Sequence, residues 1–278
     1  MIVVTGGTGR VGREVVAQLA GLGQSVRVLS RGTRPGPAPS GAEIVRADLA
    51  DPGSIDPHLH GAAALFLLWP FTSAEATADL APKVAAVAAR HVGRVVYLSA
   101  QPAGERPGSF WALVEQAVED SGVEWTFLRP TGFAANTLMW ADQIQSGDVV
   151  RWPFGAAARA LIDERDIAAV AVRALTGDGH AGSRYALSGP AVLTQAEQVA
   201  AIGKAVGRDL AWEEMPRPEA LRALTAAWGD AEFAASALDT WEQFVTHPEA
   251  VTSAVPDLTG APARSFADWA AANADAFR

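Results

Sequence analysis

The sequence predicts an α/β fold built on a doubly wound parallel sheet, and three observations point to it. Short apolar runs alternate with segments of helical period through the first half of the chain. Most runs are continuously apolar, as expected of parallel strands covered on both faces. The first, Ile2-Val3-Val4, leads straight into a turn carrying Gly6, Gly7, Gly9 and Gly12 and then into an amphipathic helix, which is how a βαβ unit opens.

The elements follow in order. Strands are expected at Ile2–Thr5, Ser25–Ser30, Glu43–Ala47, Ala63–Trp69, Arg94–Ser99 and Glu124–Arg129. Helices are expected at Arg10–Ala20, Pro52–His58, Ala74–His91, Ser109–Asp120 and Phe133–Gln145. Local signals agree. Asp51-Pro52 reads as a cap and a first helical residue. Thr72 with Glu75, and Thr194 with Glu197, have capping-box spacing, and Gly93 and Gly207 stand where helices stop. Pro82 should kink the Ala74–His91 helix or delay its start. Gly32–Gly41 reads as a surface loop. Beyond residue 150 one strand, Ser183–Ser188, is followed mainly by helices, with Asp163–Leu175 ahead of it and Thr194–Val206, Pro218–Trp228, Asp230–Val245 and Ser265–Ala274 after it. The expected organisation is a nucleotide-binding core over 1–150 and a smaller, mostly helical substrate-side region over 151–278, one strand of which returns to the sheet. The expected strand order is 3-2-1-4-5-6 plus one.

Bulk properties narrow the function. The 278 residues are 49% hydrophobic, enough for a substantial core. A net charge of −9 without a basic cluster argues against nucleic-acid binding. The chain has no cysteine, which removes disulfides, thiolate nucleophiles and cysteine metal sites. The apolar run 62–70 is too short to span a bilayer, and a strand starting at residue 2 leaves no room for a signal peptide. A cytoplasmic protein is the expectation.

The glycine turn carries the most chemistry. Gly7-Thr8-Gly9-Arg10-Val11-Gly12 fits the dinucleotide fingerprint in its required setting between strand and helix. Glycines let the backbone approach a pyrophosphate, and the helix N-terminus attracts its charge. Gly6, Thr8, Gly9, Arg10, Val11 and Gly12 are therefore candidate cofactor residues; the alternative is a purely structural turn. After the second strand, where an NAD site usually has an acid, stands Ser30-Arg31-Gly32. Arg31 with Arg10 would suit a ribose 2′-phosphate, so NADP(H) is favoured over NAD(H). The competing reading makes Arg31 and Arg34 solvated loop charges. Asp48 could accept from the adenine amino group beside Leu49, or serve only as a turn residue.

These pieces resemble the atypical short-chain dehydrogenase/reductase group, in particular the NmrA-like NAD(P)-binding proteins. The likeness rests on 5–12, Asp48-Leu49, 95–99, Glu115, Ser121-Gly122, 126–130, Asn136, 161–167 and 265–269, and spans nearly the whole chain. It implies that Leu68, Trp69 and Pro70 line the cofactor, and that Pro130, Thr131, Gly132 and Phe133 lie near the nicotinamide.

One departure from the superfamily matters more than the match. Many of its reductases pair a proton-donating Tyr with a Lys four residues later. Here the only tyrosines, Tyr97 and Tyr185, are followed at that distance by Gln101 and Gly189, and the only lysines are Lys83 and Lys204. The family's positions fall near Pro107 and Trp111. Two consequences stay open. The protein binds NADP(H) without chemistry, as a redox sensor of the NmrA type, or it reduces an acceptor that needs little acid help. Quinones, dyes and conjugated or cationic aromatics are such acceptors. A cofactor-bound accessory role in biosynthesis is a third, weaker reading.

Ser99 and Asn136 are the candidate catalytic residues: Ser99 could hold a carbonyl and Asn136 could donate to a substrate oxygen. Each also has a bland reading, as a strand-end cap and as a helix hydrogen bond. Gln101 with Trp69, Phe71, Trp111, Phe133, Trp140 and Trp152 could form a pocket for a small aromatic substrate, against core packing as the alternative. His58, His60, His91, His180 and His247 are scattered, and His58 and His60 read as surface residues without carboxylate partners at metal spacing, so no metal is expected. Asp163 and Asp166 could mimic a catalytic carboxylate pair, but ahead of Ile167 they read better as N-cap and first-turn charges of a helix. The expected function is an NADPH-dependent reductase of a small aromatic, quinone-like or conjugated compound, with the sensor as alternative and the oligomeric state open.

Overall fold

The computed structural model describes residues 1–32 and 41–278. In chain order its elements are β1 (Ile2–Thr5), α1 (Arg10–Gly21), β2 (Val26–Ser30), β3 (Ala42–Arg46), α2 (Pro52–Leu59), β4 (Ala64–Leu68), α3 (Ala74–His91), β5 (Arg94–Leu98), α4 (Pro102–Glu105), α5 (Phe110–Asp120) and β6 (Glu124–Pro130). A 3-10 helix (Ala134–Trp140) leads into α6 (Ala141–Ser146), β7 (Val149–Trp152), β8 (Ala158–Arg159), α7 (Glu164–Thr176), β9 (Ser183–Leu187), β10 (Leu193–Thr194) and α8 (Gln195–Val206). The chain closes with β11 (Ala211–Glu214), α9 (Arg217–Trp228), α10 (Ala231–Thr246), α11 (Ala254–Thr259), α12 (Phe266–Ala272) and a last 3-10 turn (Ala274–Phe277). Most of the expected Gly32–Gly41 loop, Arg34 included, lies outside the described residues.

Contacts divide the chain into two units that interleave rather than meet at residue 150. The first comprises Met1–Pro130, Glu164–Leu187 and Ala254–Ala261; the second comprises Thr131–Asp163, Ser188–Ser253 and Pro262–Arg278. The reason is the return of α7 and β9 to the first sheet, which takes 164–187 out of the expected C-terminal region.

The first unit is a seven-stranded sheet in the order β3-β2-β1-β4-β5-β6-β9, parallel throughout. This is the expected order, with β9 as the added strand. Val3, Leu65, Val95 and Phe127 face one side and join Val84, Val114 and Val118 of α3 and α5 in one core. The alternate residues Val4, Phe66, Val96 and Leu128 are also buried, and α1 packs against α7. Burial on both faces explains the continuous apolar runs. Strand order reverses at the β1/β4 pair, the place where ligands bind in such sheets. Thr5 ties this point together: its Oγ1 accepts from the Leu68 N–H at 2.6 Å and donates to a carbonyl of β4, that of Leu68 being 3.1 Å away.

The second unit has two small sheets, parallel β7-β11 and antiparallel β8-β10. Its main core gathers Trp140, Ile144, Val199, Ile202, Trp269 and Phe277, and Leu224 of α9 meets Leu238 of α10 in a smaller cluster.

Several local expectations need correction. The expected Phe133–Gln145 helix is the 3-10 helix followed by the single short α6. α3 accommodates Pro82 within its Ala74–His91 span, and its cap is Ser73, not Thr72, accepting from the Ala76 N–H. The Thr194–Glu197 capping box is present, and Asp51 caps α2 through the Gly53 N–H. β7, β8, β10 and β11 were not anticipated, because two to four residues are too few to show a period. No helix among the described residues is long and apolar enough to cross a membrane.

Candidate functional site

In the first unit the glycine turn is shaped for close backbone approach. Gly6 has φ +64°, a conformation that favours glycine. A Cβ on Gly7 would meet Val28 at 2.7 Å, and one on Gly12 would overlap the Gly6 carbonyl oxygen. Gly9 differs: a Cβ there would meet only the Gly6 oxygen, at 3.2 Å. Gly9 is also the α1 N-cap, with no side chain capping the helix and no acidic residue in its first turn. The free N–H groups and positive end of α1 are thus left for an anion.

Beside this turn lies a cavity of about 400 Å³, lined by Gly6, Thr8, Arg31, Asp48, Leu49, Leu68 and Pro70 from the sequence-derived set, together with Thr5, Leu29, Ser30, Gly32, Ala47 and Ile55. The volume falls in the ordinary range of ligand pockets. Asp48 is shaped locally: one carboxylate oxygen accepts from the Ala50 N–H at 3.0 Å, and its own N–H donates to Ser54. Gly9, Arg10, Val11 and Gly12 frame the helix start without lining the cavity, and Arg10 is exposed. These residues fit a dinucleotide: a glycine cradle, an uncapped helix N-terminus, one cation and one carboxylate around an apolar floor.

Trp69 turns into the core, where it is 7% exposed and its Nε1–H donates to Thr77 at 3.0 Å. Phe71 packs edge-on against it. Trp111 stacks obliquely on Phe110 at the start of α5. Gln101 is half-buried, its N–H directed at the Pro130 carbonyl at the end of β6.

Ser99 is buried, and its hydroxyl donates to Glu115 Oε1 at 2.5 Å. Arg129 holds both oxygens of the same carboxylate. The Ser99 proton is thus spent inside the protein, leaving its oxygen only as an acceptor. That corrects the expectation of Ser99 as a donor to a carbonyl. Tyr97 lies wholly in the core with no partner for its hydroxyl among the described residues. Burial, and secondarily the charge of Glu115, push its ionisation far above the ordinary phenol value.

The histidines also need correction. Asp56, His60 and His91 bring one ligand atom each within 4.8 Å of one another. The fold therefore supplies the carboxylate that the sequence spacing did not show.

In the second unit Thr131 donates to the Ala160 carbonyl at 2.6 Å, and Phe133 bridges to Ile162. A cavity of about 100 Å³ is lined by Asn136, Thr137, Met139, Trp140, Ala157, Arg159, Leu161, Gln195, Gln198 and Trp241. It brings together Asn136 and Trp140 of the sequence-derived set. Trp152 stands apart from it, tilted against Trp241. Arg159 was missed. The signal was present: it is the single charge within the apolar run 156–162.

Comparisons with known proteins follow this geometry. Residues 1–247 match the family model described as NmrA-like family. A (4-alkanoyl-5-oxo-2,5-dihydrofuran-3-yl)methyl phosphate reductase from Streptomyces griseus is 42% identical over 286 aligned positions, covering 100% of this chain and 99% of that protein. An NAD(P)H azoreductase from Xenophilus azovorans is 34% identical, with the same coverage. Among solved structures, an NADPH-dependent quinone oxidoreductase from Escherichia coli complexed with NADPH superposes with a TM-score of 0.79 at 23% identity, covering 98% of this chain and 99% of that one.

Proposed function

This chain belongs to the NmrA-like family, and we propose that it works as an NADPH-dependent reductase of a small, conjugated carbonyl acceptor. The reductase class follows from two relatives matched end to end. The observation that carries the cofactor assignment is the uncapped α1 N-terminus behind a glycine turn, opening beside a cavity that holds Arg31 and Asp48.

Bound NADPH would supply the hydride. The chain's own residues bind and orient. Backbone groups of Gly6–Gly12 would take the pyrophosphate, with Thr8, Arg10 and Val11 at the start of α1. Arg31 would pair with the 2′-phosphate, which favours NADP(H) over NAD(H). Asp48 and Leu49 would take the adenine. The family resemblance implies that Leu68, Trp69, Pro70, Pro130 and Phe133 lie on the nicotinamide side; Phe71, Gln101, Trp111, Asn136, Trp140 and Trp152 would belong to the substrate side, as their positions along the chain suggest.

The acceptor class follows from what the chain lacks. No Tyr-x-x-x-Lys is present, Tyr97 is sealed in the core, and the Ser99 proton is engaged by Glu115. The substrate should therefore stabilise its own negative charge after reduction. The name of the Streptomyces relative describes such a compound, a ring double bond joined to both a lactone carbonyl and an alkanoyl group. Hydride addition at the far carbon of that bond leaves an enolate spread over two oxygens, which water can protonate. Quinones behave alike. A cytoplasmic location accords with this use of NADPH.

The test is NADPH oxidation followed by absorbance with a 2-acylbutenolide and with menadione, compared with NADH. Turnover of either acceptor, faster with NADPH, is expected. The absence of the acid pair favours a sensor as second reading, and tight NADPH binding with no acceptor reduced would replace the reductase by it.

A further inference from the structure

We propose that the second unit holds a binding pocket for the carbonyl or enolate oxygen of an acyl-lactone or related dicarbonyl compound, with Arg159 and Trp140 as its donors. This deepens the reductase reading and rests on it for the choice of ligand.

The pocket is the 100 Å³ cavity bounded by Asn136, Trp140, Arg159, Gln195, Gln198 and Trp241. Its donors are held in place but unused. Arg159 is fixed on three sides. Its Nη2 donates to Glu249 Oε1 at 2.6 Å, its guanidinium carbon lies 4.5 Å from the Phe244 ring centroid, and its plane rests on the backbone of Gly132, where a Cβ would meet it at 2.6 Å. Yet Arg159 Nε is buried with no partner, and Nη1 makes no hydrogen bond among the described residues. Trp140 is 2% exposed, and its Nε1–H is also buried without a partner. Asn136, on the 3-10 helix that carries Trp140, is exposed, and its side-chain amide has no hydrogen-bond partner among the described residues. Gln195 and Gln198 spend their amide N–H groups on backbone carbonyls.

Buried N–H groups left unpaired carry their full desolvation cost, and a ligand that accepts from them recovers it. Two such donors, Arg159 Nε and Trp140 Nε1, belong to residues around one small cavity and call for an acceptor. One of them is a guanidinium, which favours an oxygen bearing negative charge. Glu249 is not among the residues that bound the cavity; its Oε1 pairs with Arg159, and its Oε2 is buried without a partner among the described residues. Trp140 and Trp241 give the walls a flat apolar surface suited to a planar conjugated group. A delocalised enolate has both properties: a planar skeleton and a charged oxygen.

The experiment is calorimetric titration of the NADP⁺-loaded protein with 3-acetyltetronic acid, an acyl lactone that exists as its enolate anion at neutral pH. The wild-type protein should bind it. Arg159→Gln should weaken binding about 30-fold while the NADP⁺ affinity, titrated separately, stays unchanged. Arg159→Lys keeps the charge but loses the planar fork, and should weaken binding by about fivefold; it serves if the Gln variant fails to fold. Equal binding by wild type and both variants, or no binding by wild type, would overturn the pocket. Turnover is scored apart. A protein that oxidises NADPH with acceptors but ignores the enolate loses the pocket and keeps the reductase. One that binds the enolate through Arg159 without turnover keeps the pocket and loses the reductase.

Discussion

Arg129 grips Glu115 with two hydrogen bonds, Nε to Oε1 at 3.0 Å and Nη2 to Oε2 at 2.5 Å. The Glu115 side chain is 5% exposed, and a second cation, Arg184, has its Nε 3.8 Å away. The acid contact raises the Arg129 pKa, chiefly through the hydrogen bond to Glu115. A buried pair of this kind is costly to break from one side, because the remaining charge is stranded. Arg129→Ala should cost about 3 kcal/mol in urea denaturation. Replacing both partners by apolar residues of similar size should recover most of that loss.

Gly9 and Gly12 should separate binding from folding. Gly12→Ala forces a Cβ onto the Gly6 carbonyl and should cost about 3 kcal/mol of stability as overpacking. Gly9→Val meets far less inside the protein and should cost about 1 kcal/mol as a poorer cap. It should nonetheless weaken NADPH at least about tenfold by occupying the pyrophosphate approach. Denaturation midpoints beside fluorescence titrations of NADPH check both. Full NADPH affinity in Gly9→Val would mean that the turn is only structural.

Arg31→Glu should weaken NADPH by about 100-fold and NADH by less than about threefold, since a 2′-phosphate meets the reversed charge and a 2′-hydroxyl does not. Parallel titrations with the two cofactors read this out. Equal losses would remove the phosphate role from Arg31.

Asp56 gives a pH signature. A hydrogen bond from His91, reinforced by one from Arg90, holds its carboxyl below the ordinary value of 3.8. A lowered value in the folded state stabilises the protein above the unfolded value, and that stability fades as pH falls through the folded one. Asp56→Asn should therefore be less stable than wild type at about pH 5, and the gap should close as pH falls below the ordinary value of 3.8. A gap that widens as pH falls below 3.8 would reverse the sign and exclude the pairing.

Periodicity made the first unit legible. Val3, Leu65, Val95 and Phe127 sit in strands whose two faces are both buried, so their apolar runs and the glycine turn announced sheet and order together. The second unit was less legible. Its strands are two to four residues long, and the 3-10 turn bearing Asn136 and Trp140 has no period distinguishing it from an α-helix. Ser99 was found at the strand end, yet no local pattern shows that its proton goes to Glu115, sixteen residues on. Arg159 depends on Glu249, ninety residues away, so only tertiary structure shows which of its donors remain spare.

The seventh strand bears on how the molecule is made. β9 pairs with β6 over Thr126–Pro130, but more than fifty residues separate the two strands. During synthesis β1 to β6, the glycine turn and the cavity beside it all emerge first, and β6 leaves the ribosome as an unpaired sheet edge. That edge offers open hydrogen-bonding groups until Ser183–Leu187 arrives. A nascent chain halted near residue 150 would therefore carry that open edge, and α1 would still lack α7, the helix it packs against.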